Sequence, residues 1–389
     1  MQLILVNDKK TAQQFLTVPV TLYKNDPNWI RPLDKDIDEV FDTKKNKAFR
    51  FGNIIRWILV DENEQLIGRI AAFINSKYKN KGDDVPVGGF GFFECINSQP
   101  AADLLLNTAR KWLAGEKMQA MDGPINFGER DKWWGLVTEG FTSPLYNMNY
   151  NPPYYVSLFK NYGCQVFFNQ ICFGIDPSKP LSPKIHERHT ILAANPDISS
   201  KNIDKNNLEK FANDFTTVYN KAWAGHGGLK QLGKEQVILM FKKMKQVIDE
   251  RIILFAYYKE EPIAIFLNLP DLNQYFKHLD GKFGLLQKLY FLYLQRLRPA
   301  KKFCGLVFGV VPEWQGKGVD AYIIGECSKI IQVPNMPYLE YEMQWIGDFN
   351  SKMINVAESF GDTYKSKNLV TYRYLFDRTK EFKRHPMLG

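Results

Sequence analysis

The run Val310-Val311-Pro312-Glu313-Trp314-Gln315-Gly316-Lys317-Gly318-Val319-Asp320 has the residue types of an anion site. An apolar stretch ends, a loop with two glycines follows, and a helix opens. The first amides of a helix lack intrahelical partners, and the helix dipole favours negative charge there. Gly316 and Gly318 let the backbone come close to a phosphate, and Lys317 adds a point charge. The spacing is not that of a Walker A loop, which keeps four residues between its first Gly and Gly-Lys-Ser/Thr. An ordinary glycine turn into a helix with an acidic first turn has the same composition.

Proton-transfer candidates lie elsewhere. Glu340 and Glu342 alternate on one strand and so share a face, where either could act as a base through water. A solvated strand face carries the same pattern. Tyr341, between them, is the nearest candidate acid. Glu94 closes an apolar strand, as a half-buried base with a raised pKa or as a hydrogen-bonded strand end. Residues 123–135 mix polar groups with indoles, which suits a ligand wall or a loop anchored by its tryptophans. That loop supplies Asn126, Arg130 and Trp134 as substrate contacts. Tyr154, at a proline-led helix entry, and Asp271 and Asn273, after Pro270, complete the set, although the last two could simply hold a turn. His226 sits in a glycine-rich loop. His186 and His189 lack a third ligand nearby, so no metal site is expected.

The elements that must position these groups occur twice. Residues 55–60 and 66–74 read as a hairpin around the turn 61–65, and 251–258 and 262–269 repeat it around 259–261. Each hairpin leads to an apolar strand (88–94; 305–311), a helix (101–113; 320–331) and a short strand (120–122; 338–343). An Asn placed to cap a helix follows (Asn151; Asn350), then a helix ending at a glycine (154–162 at Gly163; 351–360 at Gly361). A last strand closes each series (165–175; 369–377). Helices are also expected before each hairpin, at 11–22 in one half and at 206–223 and 234–248 in the other. The prolines of 176–183 suit an extended connector, which gives domains 1–176 and 177–389.

Pro312-Glu313-Trp314-Gln315-Gly316-Lys317-Gly318 resembles the acyl-CoA pyrophosphate loop of the GCN5-related N-acetyltransferase (GNAT) superfamily. That loop reads Gln/Arg-x-x-Gly-x-Gly/Ala between a strand and a helix. Gln315 and Gly318 fill its first and middle positions, and Asp320 stands where Gly or Ala is usual. The resemblance implies an α+β fold of two tandem GNAT-like domains, with mixed sheets flanked by helices. It also implies that acetyl-CoA or another acyl-CoA binds Val310, Val311 and Gln315–Asp320. The first half has no such loop after its strand, where Cys95-Ile96-Asn97-Ser98-Gln99-Pro100 stands instead.

The whole chain is similar to a bacterial family of tandem GNAT-like proteins. Gly91-Phe92-Phe93-Glu94-Cys95-Ile96-Asn97, Gly123-Pro124-Ile125-Asn126-Phe127-Gly128, Asn151-Pro152-Pro153-Tyr154-Tyr155 and Pro270-Asp271-Leu272-Asn273 carry that likeness. Many GNAT enzymes place an acid Tyr four residues before the glycine that ends the last helix. Ala357 and Phe159 hold those positions here. The implied function is acyl-CoA-dependent N-acyl transfer to a small-molecule or peptide amine in a groove between the domains. Two alternatives are an aminoacyl-tRNA-dependent transferase of the Fem type and a GNAT-fold binding protein without catalysis.

Composition sets the outer limits. The 389 residues are 45% hydrophobic and 24% charged, with 14% aromatics, as in a globular protein with a large core. Lys and Arg number 51 against 42 acidic residues, for a net charge of +9. These cations are dispersed, so no nucleic-acid stripe is expected apart from tRNA under the Fem alternative. No apolar run is long enough to span a bilayer, so no membrane partner is expected. The five cysteines form no CxxC pair, which suits reduced thiols and a cytoplasmic protein; a monomer or homodimer is expected.

Overall fold

The computed structural model describes residues 1–223 and 231–388; His226 lies outside the described residues. The first half contributes β1 (Gln2–Leu5), β2 (Gly52–Val60), β3 (Leu66–Asn75), β4 (Val87–Cys95), β5 (Ala120–Gly123), β6 (Leu136–Glu139) and β7 (Gln165–Ile175). The second contributes β8 (Ile198–Asn202), β9 (Ile253–Tyr258), β10 (Glu261–Pro270), β11 (Lys302–Val310), β12 (Glu340–Met343), β13 (Ile346–Gly347) and β14 (Tyr364–Leu375). Alternating apolar residues around short turns make the two hairpins, and helices flank the resulting mixed sheet. The fold is α+β.

The sheets of the two halves are joined into one, in the order β1-β2-β3-β4-β5-β14-β7-β12-β11-β10-β9-β8. Each half gives its last strand to the other. β14 lies between β5 and β7, and β7 pairs with β12. Among the described residues only β4–β5 and β11–β12 are parallel, and both pairings are short. Past Gly89 and Asp122 in one half, and past Gly305 and Met343 in the other, the parallel strands part.

Several local expectations change. Asn350 caps the helix Ser351–Ser359 by accepting from the Met353 amide at 3.2 Å. Asn151 caps nothing: its side chain bridges the Val137 amide and carbonyl at 2.8 and 3.0 Å, pinning the loop to β6. The connector is not extended throughout: Asp176–Lys179 close a turn, the Lys179 amide donating to the Asp176 carbonyl at 3.2 Å, and Pro183 opens the helix Pro183–Ala193, with Ser182 as its cap. β14 begins at Tyr364, five residues earlier than its apolar pattern, because its polar start already pairs with β7 from Gly174 on. Lys367 there is 2% exposed.

Candidate functional site

The separation of β11 and β12 opens a cleft of about 430 Å³. Gly305–Phe308 form one wall, Met343–Gly347 the other, and the helix Ser351–Ser359 closes the end with Met353 and Ala357. A bulge shapes the first wall: Asn268 pairs with Gly305 and Leu267 with Val307, which leaves Leu306 without a ladder partner. The lining is mainly apolar, with Tyr219, Tyr341, Gln344 and Asn350 as its polar side chains. No carboxylate or imidazole lines it among the described residues.

The strand that lines this cleft runs directly into the glycine loop. Val310 pairs with Ala264, and the buried Val311 donates its amide to the Ile263 carbonyl at 2.9 Å. A short turn, Pro312–Trp314, follows, and Gln315 Nε2 ties back to the Val310 carbonyl at 3.0 Å. Gly316 and Gly318 adopt φ of +74° and +90°, the left-handed region that glycine enters without strain. The helix Val319–Ile331 then starts with no side-chain cap. A Cβ at Gly316 would meet nothing within 4 Å, and at Gly318 only the Arg188 carbonyl at 3.8 Å. Lys317 lies over the Trp314 ring at 5.3 Å.

Asp320 does not burden this cradle with an unpaired charge. Arg188, on Pro183–Ala193, grips both carboxylate oxygens at 3.2 and 3.3 Å. The first turn of the helix therefore keeps its amides for an anion while its carboxylate is neutralised. These residues fit the pyrophosphate of a CoA.

Glu340 and Glu342 share a face, as strand alternation requires, but neither lines the cleft. Glu342 is buried. Lys367 Nζ contacts it at 3.0 Å, Lys302 pairs with it closely, and Ser366 Oγ donates at 2.9 Å. Burial alone would raise its pKa, but Lys367 and Lys302 pull it below the ordinary carboxylate value, which makes it a poor base. Glu340 is exposed, 3.4 Å from Lys302. Tyr341 occupies the opposite face. Its ring packs on Phe303 at 4.6 Å, and its hydroxyl fills the space that a Cβ at Gly305 would need. Burial pushes its pKa well up, so it holds its proton. Ala357 borders the cleft, whereas Phe159 is locked in the first half against Phe93 at 5.0 Å.

Glu94 belongs to the first half's own gap. Tyr23 and Tyr155 donate to its Oε2, Tyr155 at 3.0 Å, and Arg69 Nη2 reaches Oε1 at 3.3 Å. Burial raises its pKa, while Arg69 and the tyrosines oppose that shift. The adjoining cavity is about 50 Å³. Loop 124–135 fills the rest: the Ile125 amide donates to the Phe90 carbonyl at 2.7 Å, and Trp133 packs on Phe92 at 5.8 Å.

Of the six expected substrate contacts, Arg130 lies over the Trp134 ring at 5.5 Å, but the six do not converge and none lines the open cleft. Asn126 is buried with Oδ1 unpartnered. Arg130 donates to Asn80 Oδ1 at 3.0 Å, and Trp134 is buried with an unpartnered Nε1. Tyr154 donates to the Cys95 carbonyl at 2.7 Å. Asp271 accepts from the Tyr146 and Asn273 amides at 3.2 Å each, and Asn273 Nδ2 donates to the Pro144 carbonyl at 2.9 Å. Both therefore tie the second half to residues 144–146 of the first. His189 Nε2 meets Glu326 at 2.7 Å, and no group of three or more His, Cys, Asp or Glu could hold a metal among the described residues. Sequence reasoning missed Arg188 and the cleft residues Tyr219, Trp223 and Gln344.

This architecture is a tandem GNAT fold. The chain superposes on a tandem GNAT protein from the clavulanic acid biosynthesis pathway with a TM-score of 0.54, at 10% identity, covering 97% of this chain and 99% of the other. It also matches a GCN5-related glucosamine N-acetyltransferase region of a fungal multi-domain β-N-acetylglucosaminidase. That match has a TM-score of 0.53 at 10% identity, covering 96% of this chain and 38% of that one.

In sequence, the chain is similar to a bacterial ceramide synthase of Caulobacter vibrioides, 23% identical over 94% of this chain and 95% of the relative. It is also similar to Protein YghO of Escherichia coli, 24% identical over 93% of each. No family model matches.

Proposed function

We propose that the protein is an acyl-CoA-dependent N-acyltransferase. In this reading the acyl chain lies in the cleft between β11 and β12, and the pyrophosphate meets the amides of Gly316–Asp320. The observation that carries it is continuity: one strand, β11, forms the cleft wall and then the open glycine cradle. The mainly apolar lining suits a long acyl chain better than an acetyl group alone. The ceramide synthase relative supports this, because a ceramide is the amide of a fatty acid and a long-chain amino alcohol. A long-chain amine is therefore the acceptor class to test first.

Bound acyl-CoA supplies an activated acyl carbon. The acceptor nitrogen attacks it, the C–S bond breaks, and the thiol departs after a proton has left the amine. The Leu306 bulge puts backbone without a ladder partner beside the cleft, where an amide could polarise the thioester carbonyl. Tyr341 and Tyr219 are the hydroxyls that line the cleft, and burial, by raising the pKa of each, makes them weak acids, so the leaving thiolate takes its proton from solvent. The rate should rise with pH as the amine deprotonates.

The test is release of free CoA thiol from a long-chain acyl-CoA with a long-chain amino alcohol, set beside acetyl-CoA with small amines. Turnover with the first pair and not the second is expected. Binding can be followed separately, because a ligand at 100 times its dissociation constant adds ~2.7 kcal/mol of stability. Gly318→Glu, which puts bulk and negative charge in the cradle, should remove that gain. Undiminished acyl-CoA affinity in Gly318→Glu would overturn the reading.

A further inference from the structure

The helix Leu285–Leu297 is mounted on the second half by a narrow stripe. Phe291 packs on Tyr275 at 5.5 Å and on Phe276 at 5.6 Å, and Leu294 is buried beside it. The broader apolar face points outward. Leu285 and Leu286 are each 75% exposed, with Leu289 at 57% and Tyr293 at 58%. Tyr290, Leu292 and Leu297 are exposed as well. At roughly 100° per residue, Leu285, Leu289, Leu292 and Tyr293 fall opposite Phe291 and Leu294. A single exposed leucine is unremarkable in a folded protein; a continuous face of them marks an interaction surface.

Charge decides what covers it. Residues 281–301 contain Lys282, Lys288, Arg296, Arg298 and Lys301, and no Asp or Glu. All five are exposed, and none makes a salt bridge among the described residues. A second copy of the chain would set these cations against their own equivalents across a two-fold axis. An anionic lipid surface satisfies both features: the acyl boundary takes Leu and Tyr, and the headgroups take Lys and Arg. The stacked pair Tyr290 and Tyr293, with ring centroids 6.2 Å apart, is of the kind that settles at that boundary.

We propose that Leu285–Leu297 docks the protein on the surface of an anionic bilayer. Its length at ~1.5 Å per residue is roughly 20 Å, short of the ~30 Å hydrocarbon core, so it lies in the membrane plane. This agrees with the finding that no helix among the described residues is long and apolar enough to cross a membrane. The docking stands independently of the acyl-transfer reading.

The test is co-sedimentation of the full chain with vesicles of phosphatidylglycerol mixed with phosphatidylcholine, and with phosphatidylcholine alone. The wild type should sediment with the anionic vesicles and be released as salt is raised. The double variant Leu289→Glu/Tyr293→Glu should bind at least ~10-fold more weakly with unchanged thermal unfolding, because both positions are exposed. Lys288→Glu/Arg296→Glu should lose the preference for phosphatidylglycerol. Acyl-CoA affinity in solution should be the same in all three, which separates this proposal from the assignment of the cleft. A wild type that stays in the supernatant, or a Leu289→Glu/Tyr293→Glu variant that sediments equally well, would overturn it. So would a wild-type dimer that this variant splits while neither form binds vesicles.

Discussion

Past Gly89 the strands β4 and β5 part, just as β11 and β12 part past Gly305, yet one gap is filled and the other is open. The difference lies in the connection that follows. Between β5 and β6 the chain inserts residues 124–135, which fold back on β4 and seat Trp133, Phe127 and Ile125 among Phe73 and Phe92. Between β12 and β13 only Gln344 and Trp345 intervene, and a 430 Å³ cleft remains. The glycine cradle follows the strand of the open gap and is missing from the filled one. Equivalent gaps in the two halves thus end differently, one as an open cleft and the other as packing.

The comparison breaks most visibly in stability. Trp133→Ala should cost about 3–5 kcal/mol, since it empties a filled gap. Met353→Ala, in the half-open wall of the cleft, should cost about 1 kcal/mol or less. Denaturant titration of the two variants checks this, and equal losses would mean that the gaps are packed alike.

A second prediction concerns the tie between the halves. Burial pushes the Asp271 carboxyl up to about 6, from an ordinary value of 3.8. The native state then binds this proton more tightly than the unfolded chain does. The stabilisation is fully present below pH ~4 and is lost as pH rises through 6, by roughly 3 kcal/mol in all. Asp271→Asn keeps an acceptor for the Tyr146 and Asn273 amides and should flatten that slope. Unfolding midpoints between pH 4 and pH 7 would show it.

A smaller effect sharpens the cradle assignment. Arg188→Ala leaves Asp320 unpaired beside the bound anion and should weaken acyl-CoA binding about 10-fold, or ~1.4 kcal/mol. Arg188→Ala/Asp320→Asn should restore most of it. Calorimetric titration of the single and double variants measures the coupling, and failure of the rescue would remove Arg188 from the site. Smallest of all, Leu306→Trp should change stability by no more than about 0.5 kcal/mol at its half-exposed bulge, yet lower affinity for long acyl chains more than for acetyl-CoA.

The sequence made the hairpins, the repeat order and the glycine loop legible because each is a local pattern. It could not make Arg188 legible as the partner of Asp320, because the two lie 132 positions apart on different helices. Nor could it show the exchange of β7 and β14, since each half read alone contains a complete set of strands. That exchange brings Lys367 to Glu342, which is why alternation correctly put Glu340 and Glu342 on one face but missed what they face. The helix Leu285–Leu297 escaped notice for another reason: apolar residues on all its sides leave no 3.6-residue pattern.

The most direct measurement is photolabelling with a long-chain acyl-CoA that carries a diazirine in its acyl chain, followed by peptide mapping. The account predicts labels on Gly305–Phe308 and on 343–357, suppressed by excess unlabelled acyl-CoA and absent in Gly318→Glu. Specific labels on Phe92–Cys95 or 133–151 would place the chain in the first half's gap and contradict it.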